Sequence, residues 1–323
     1  MSGTRSDRLY RVGAGLVAGA VPLVLAAILV FILFDGLPAI RYMGVQFWTS
    51  ISWNLGNEYG TALTVRNGVQ AMQGASFGIL PYILGTLLTS VVALVIAVPL
   101  GVGTALFLSE WAPARLRTFL SALVELLAGV PSVVYGLWGL AVVVPAVGAS
   151  VAPWMAAHLG FIPFFAGSPG SGPGLLAAGV VLAIMVLPLI AATTRDAMIQ
   201  TPQAQREAAY ALGLTKWEAV SAVVLRGSRP AIVGASILGL GRALGETMAV
   251  LMVCGGAVNL LPGNLYGPVN TLAAVIASQL DSALTDSTQM AVHALAAVAL
   301  TLFVISLIVN GLARLIVREE ARA

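Results

Sequence analysis

Three ionisable side chains interrupt long apolar runs: Glu125, Arg242 and Glu246. A charge at the centre of a bilayer costs roughly 2.5–3.5 kcal/mol on insertion scales, so such residues face the inside of a bundle or a cavity. Arg242 and Glu246 stand four positions apart, the spacing of neighbours on one helix face, and Gly239, Gly241 and Gly245 flank them. Glycine lets another helix or a ligand come close to the backbone. A guanidinium presents its donors in a fork that matches an oxyanion. Two readings follow from the spacing. The pair lines a substrate pathway for an anion, or it is a buried ion bridge that fixes helix register. Glu125 pairs with Arg242, reaches a second subunit, or makes an interhelical hydrogen bond.

Other chemistry is thinly supplied. Cys254 is the only cysteine, which excludes an intrachain disulfide and a paired-thiolate zinc site. His158 and His293 are the only histidines and fall outside or at the edge of apolar runs, so neither a metal cluster nor a Ser/His/Asp hydrolase is expected. The only lysine is Lys216, and no Gly-x4-Gly-Lys-Ser/Thr string occurs. The chain therefore has no P-loop of its own for ATP. Of the 323 residues, 59% are apolar and 9% charged, against roughly 25% charged in soluble domains. That composition excludes a soluble globule and a disordered chain. The basic residues are too sparse for nucleic-acid binding.

The elements that position these residues are membrane spans. A span takes about 20 apolar residues, and six runs qualify: 12–34, 80–109, 118–147, 174–194, 230–256 and 289–313. The run 12–34 is too long, and lacks the small-residue cleavage pattern, for a signal peptide. Glu125 falls in the third run, Arg242 and Glu246 in the fifth. Two shorter apolar segments, 151–165 and 271–280, read as interfacial or re-entrant. The expected organisation is a leading segment and first span (1–34), an extracytoplasmic loop (35–79), a core of five spans (80–314) and a tail (315–323). Thirteen of the 16 basic residues fall at one face: Arg5, Arg8, Arg11, Arg115, Arg117, Arg195, Arg206, Lys216, Arg226, Arg229, Arg314, Arg318 and Arg322. Positive-inside bias makes that face, and both termini, cytoplasmic.

The largest loop on that face is 195–229. Gln203 to Leu212 is built of good helix formers, with Thr201 placed to cap, Pro202 in the first turn and Gly213 as the stop. A second helix is expected from Lys216 to Leu225. Two short helices joined at a glycine make a knob that either docks into a partner's groove or merely connects spans.

Here the residues resemble a family. Glu207-Ala208-Ala209, Gly213 and then Val223-Val224-Leu225 look like the EAA loop of ABC-importer permeases, although Arg226 stands where that pattern has a proline. Phe77-Gly78-Ile79-Leu80-Pro81, the run from Glu125 through Pro131-Ser132 to Gly139, and Gly241-Arg242-Ala243-Leu244-Gly245-Glu246 resemble the phosphate-specific transport branch of that family, most of all its C-type permeases. The resemblance implies an all-α, polytopic type I ABC-importer permease fold with six transmembrane helices in a bacterial inner membrane. It implies half of a phosphate pathway, with Arg242, Glu246 and Glu125 along it, and an ATPase docked on Glu207, Ala208, Ala209 and Gly213. The implied partners are a homologous A-type permease, two ATPase subunits that bind ATP and Mg²⁺, an external phosphate-binding protein and membrane lipid. This chain itself is then no enzyme and carries no cofactor. Permeases for molybdate, tungstate or sulfate share the Arg-Ala-Leu-Gly-Glu core, and an ion-coupled carrier would also use buried charges; both remain alternatives.

Overall fold

The computed structural model describes residues 5–57 and 62–320, with side chains between 13 and 315 outside the gap, plus Tyr10. Arg322 and Glu58, and the side chains of Arg5, Arg8, Arg11 and Arg318, lie outside the described residues. The helices are α1 (Arg5–Met43), α2 (Gln46–Thr49), α3 (Leu80–Leu106), α4 (Ala114–Ala128), α5 (Ser132–Trp138), α6 (Val144–Ala146), α7 (Ala152–Leu159), α8 (Leu175–Ile199), α9 (Gln203–Ala211), α10 (Lys216–Ala219), α11 (Arg229–Leu244), α12 (Met248–Val253), α13 (Leu272–Thr285) and α14 (Met290–Glu320). Five described helical runs are long and apolar enough to cross a membrane, and α11 with the run before it, Lys216–Leu225, makes a sixth candidate bent by 64°.

α3 and α8 form the centre and run parallel. Gly101 of α3 lies against Ile190 of α8, and Gly179 of α8 lies against Val92 of α3. A side chain at Gly101 would meet the Ile190 methyl at 2.9 Å. Small residues let the two backbones close on each other, which is how helices gain contact where water supplies no drive. α1 and α14 pair antiparallel beside them: Gly36 packs on the Ala297 backbone, and Asp35 meets His293 at 3.1 Å. Many large apolar side chains point outward, among them Phe31, Phe34, Val95, Phe119 and Leu307, as expected of a protein solvated by lipid.

The third pass differs from the expected 118–147. α4 is a separate helix without a buried residue, and the pass is the run Ser132–Leu159. Gly129 caps α4, and Pro131 bars the preceding Val130 from continuing the helix. Glu125 is therefore not inside that span. The run itself carries π turns at Gly139–Val143 and Val147–Val151, ahead of Pro145 and Pro153. Each proline lacks the N–H that would continue the ladder. The segment 151–165 is not a distinct interfacial helix, because its first part completes this pass.

The stretch 35–79 holds small antiparallel ladders, β1 (Trp53–Asn54) with β4 (Ser76–Phe77) and β2 (Leu63–Arg66) with β3 (Val69–Met72). Asn67 and Gly68 turn the second hairpin with φ of 51° and 76°, the pair of positive angles a tight hairpin turn requires. Segment 271–280 lies in α13, whose 14 residues reach about 21 Å, short of a bilayer. Its first turn is capped by Thr271 and docks on α3 through Leu272 N–H to Thr86 Oγ1 at 2.9 Å.

Candidate functional site

The expected fifth span, 230–256, is broken. α11 ends at Leu244, the backbone leaves helical geometry at Gly245 to Thr247, and α12 starts at Met248. Arg242 sits in the last turn of α11, where the helix dipole favours a cation. Its side chain is exposed and takes part in none of the ion pairs among the described residues. Glu246 lies beyond the break, so the expected i, i+4 bridge to Arg242 does not form. The Glu246 carboxylate instead accepts from the Ala249 amide at 3.1 Å, which satisfies one of the free donors at the start of α12. Tyr135 of α5 stands within Coulombic reach of Arg242, and its hydroxyl donates to the Leu127 carbonyl at 2.9 Å. Nothing in the sequence spacing singled Tyr135 out.

The three glycines divide their roles. Gly239 receives Ile190 of α8, Gly241 receives the Asn310 amide of α14, and a side chain at Gly245 would meet the Gly241 carbonyl at an ordinary 3.9 Å. Two of them are packing glycines. A cavity of about 1220 Å³ lies between α8, α11 and α14 and is lined by Leu238, Gly241, Phe303, Asn310 and Arg314 among others. Arg242 is not among its lining residues, so this cavity and the unpaired guanidinium are separate features.

Glu125 does not meet Arg242. Its carboxylate accepts from Arg195 Nη2 at 3.0 Å, and Asp196 accepts from the same nitrogen at 2.7 Å. Arg195, at the end of α8, has an 11% exposed side chain, whereas the two carboxylates are 60% and 58% exposed. Arg195 Nη1 is buried without a hydrogen-bond partner among the described residues. The cluster joins α4 to α8.

The charged loop takes the expected helix–glycine–helix form. Gly213 has φ of +84° with open space around it, so it is the left-handed stop of α9. Pro202 is the N-cap, and Thr201 makes no side-chain cap. Thr215 caps α10 in a reciprocal box with Glu218. The Thr215 hydroxyl, then its amide, holds the Glu218 carboxyl below the usual carboxylate range. α10 continues through a π turn, Val220–Leu225. Within the motif, Glu207 and Ala208 face out while Ala209 is buried. Glu207 accepts from Gln203 Nε2 at 3.3 Å. Tyr210, Leu212 and Trp217 stand exposed around the glycine, Leu212 by 82%. Apolar groups displayed this way on a polar knob mark a contact surface.

The base of the knob was not visible in the sequence. Glu110, in the π turn Phe107–Trp111 that ends α3, accepts from Arg206 Nη1 with both oxygens, at 2.8 and 2.6 Å. Arg206 Nη2 donates to the Met198 carbonyl at 2.9 Å. Lys216 donates to the Glu110 carbonyl at 2.8 Å and lies over the Trp111 ring.

A chain that turns its apolar surface outward, crosses repeatedly and shows a braced polar knob is a multi-pass membrane protein built to work with other subunits. Residues 97–321 match the family described as binding-protein-dependent transport system inner membrane component, and the chain belongs to that family, among its PstC permeases. The phosphate transport system permease proteins PstC 1 of Mycobacterium bovis and Mycobacterium tuberculosis are each 49% identical over 291 residues, 89% of this chain and 86% of theirs. PstC of Xylella fastidiosa is 40% identical over 326 residues, 98% of this chain and 92% of its own. A chain of a bacterial ABC transporter involved in the import of the acidic polysaccharide alginate shares the fold. Its TM-score is 0.52 at 17% identity, over 74% of this chain and 79% of that one. The relatives are named as permeases, and this chain is a transport subunit rather than an enzyme.

Proposed function

We propose that the chain forms half of the membrane pathway of an ATP-driven importer of inorganic phosphate, with both termini in the cytoplasm. The carrying observation is Arg242, an exposed guanidinium that forms no ion pair among the described residues, held at the break of the fifth span. An anion entering a low-dielectric space finds there a cation whose charge is weakly screened and whose planar donors fit phosphate oxygens. The relatives' names, phosphate transport permeases, support that choice of anion. Glu246 lies just past the break with its carboxylate turned to α12. In that position it shapes the site by ending α11 beside Arg242, and it adds negative charge that keeps phosphate from binding too tightly. Glu125 belongs to the Arg195 cluster and acts on the pathway through α4 and α8.

The knob of α9 and α10 docks an ATPase subunit, with Glu207, Ala208 and the exposed Tyr210, Leu212 and Trp217 at the contact. ATP and Mg²⁺ are bound there by the partner. A homologous A-type permease supplies the other half of the pathway, a second ATPase sits beneath it, and an external binding protein delivers phosphate.

The test is uptake of radiolabelled phosphate into proteoliposomes that hold the complex purified with its genomic neighbours. Arg242→Gln should abolish ATP-dependent uptake while the ATPase chains stay bound, and Arg242→Lys should keep part of it. Uptake by Arg242→Gln at the unmodified rate refutes the assignment.

A further inference from the structure

We infer that Glu110 is the positioning residue through which the knob moves the membrane helices, and that the force enters through α3 rather than through α11, the helix next in the chain. This rests on the reading that the knob docks an ATPase.

The knob has two routes into the membrane. One follows the chain from α10 into α11. That route is bent: the run Lys216–Leu225 and α11 meet at 64°, with a turn at Ser228. A push along one helix is therefore turned well off the axis of the other. The other route crosses to α3, which is remote in sequence. Glu110 receives both helices of the knob. Its carboxylate, 6% exposed, takes two bonds from Arg206 of α9, and its carbonyl takes Lys216 of α10. Charge-assisted bonds are shorter and stronger than neutral ones, and here one guanidinium nitrogen meets both carboxylate oxygens. Beneath them Ala105, Met198, Val220 and Val224 make a buried apolar cluster, and Trp111 packs on Trp217 at 6.1 Å between centroids. Arg206 also ties to α8 through the Met198 carbonyl. Since α3 and α8 interlock along their length at Gly101 and Gly179, a tilt of the knob carries both as one body. α11, with Arg242 at its far end, packs on Ile190 of α8 through Gly239 and on Asn310 of α14 through Gly241, so the tilt reaches the anion site across the α8 contact.

The complex in proteoliposomes gives the test, read as phosphate imported per ATP hydrolysed. Glu110→Gln keeps the shape and removes the charge. It should leave the ATPase chains attached and hydrolysing, yet lower that ratio by roughly fivefold or more, the scale of coupling between linked sites. Glu110→Asp, which keeps the charge, should recover part of it. Lys216→Met, on an exposed side chain where folding is not at stake, should lower the ratio in the same direction by less. An unchanged ratio in both Glu110→Gln and Lys216→Met overturns the inference, as does loss of the ATPase chains from Glu110→Gln, which would make it a docking residue. Gly213→Asp tests the docking reading separately: if it holds the ATPase and imports normally, that reading fails whatever Glu110 does.

Discussion

Removing the Arg195 counter-charges separates a brace from a pathway residue. Arg195 holds its guanidinium almost out of solvent, 11% exposed, and Glu125 and Asp196 share its Nη2 at 3.0 and 2.7 Å. Each carboxylate is more than half exposed, so solvent screens it, and a single Glu125→Gln or Asp196→Asn should cost about 0.5–1 kcal/mol, the range of surface pairs. The double variant leaves a buried cation without counter-charge, a loss of about 3 kcal/mol at the low end for a broken buried pair. Two singles at the upper limit sum to about 2 kcal/mol, so the cycle should show a coupling of at least about 1 kcal/mol. Chemical denaturation of the purified protein in detergent, followed by tryptophan fluorescence, measures all four corners. If Glu125→Gln alone destabilises as much as the double, the screening argument is wrong. If it leaves stability untouched and yet stops phosphate uptake, Glu125 acts on the anion and not on Arg195.

Cysteines placed by Trp53→Cys and Lys216→Cys, in a Cys254→Ser background, should react with an impermeant maleimide from opposite faces of the membrane, the second only after permeabilisation. Labelling of both in intact cells would overturn the orientation drawn from the basic residues. The capping box of α10 should be sensitive to acid. Because Glu218 is held below its ordinary value of about 4.3, its bond to the Thr215 amide is complete above that value and is lost as pH falls through the lower, folded one. Amide exchange in the first turn of α10 should quicken only in that acidic window, and quickening already between neutral pH and 5 would contradict it.

Where apolar content alone defines an element, the sequence reading and the structure agree closely. The expected runs 80–109, 174–194 and 289–313 each overlap an observed helical pass almost completely, Leu80–Trp111, Leu175–Ile199 and Met290–Leu315. Hydropathy reads these because burial in lipid depends on composition and not on partners. The same property hid the breaks. Gly129-Val130-Pro131 and Gly245-Glu246-Thr247 sit inside runs that stay apolar enough to look continuous, and glycine and proline are common in membrane helices whose neighbours satisfy the freed backbone groups. The cost of missing them was specific. Glu125 moved out of the third pass, and the bridge from Arg242 to Glu246 dissolved, since four residues are one turn only where the helix is unbroken.

The ion pairs were illegible for a different reason. Glu125 and Arg195 stand 70 positions apart, Glu110 and Arg206 96, and no local spacing joins them. What joins them is topology. Because α3 and α8 run parallel, the chain must return between them, and both helices deliver their last turns to the same face, the one where positive-inside bias had already gathered the basic residues. Glu110, Glu125 and Asp196 meet that basic set at the membrane edge. Arg206 and Arg195 are neutralised there, and Arg242, at the far end of α11, forms no ion pair among the described residues. Its side chain is exposed, so it carries no burial cost that an internal partner would have to offset. On the proposed reading, a ligand that brings the opposite charge meets it there, while the knob end stays braced by Glu110 and Arg206.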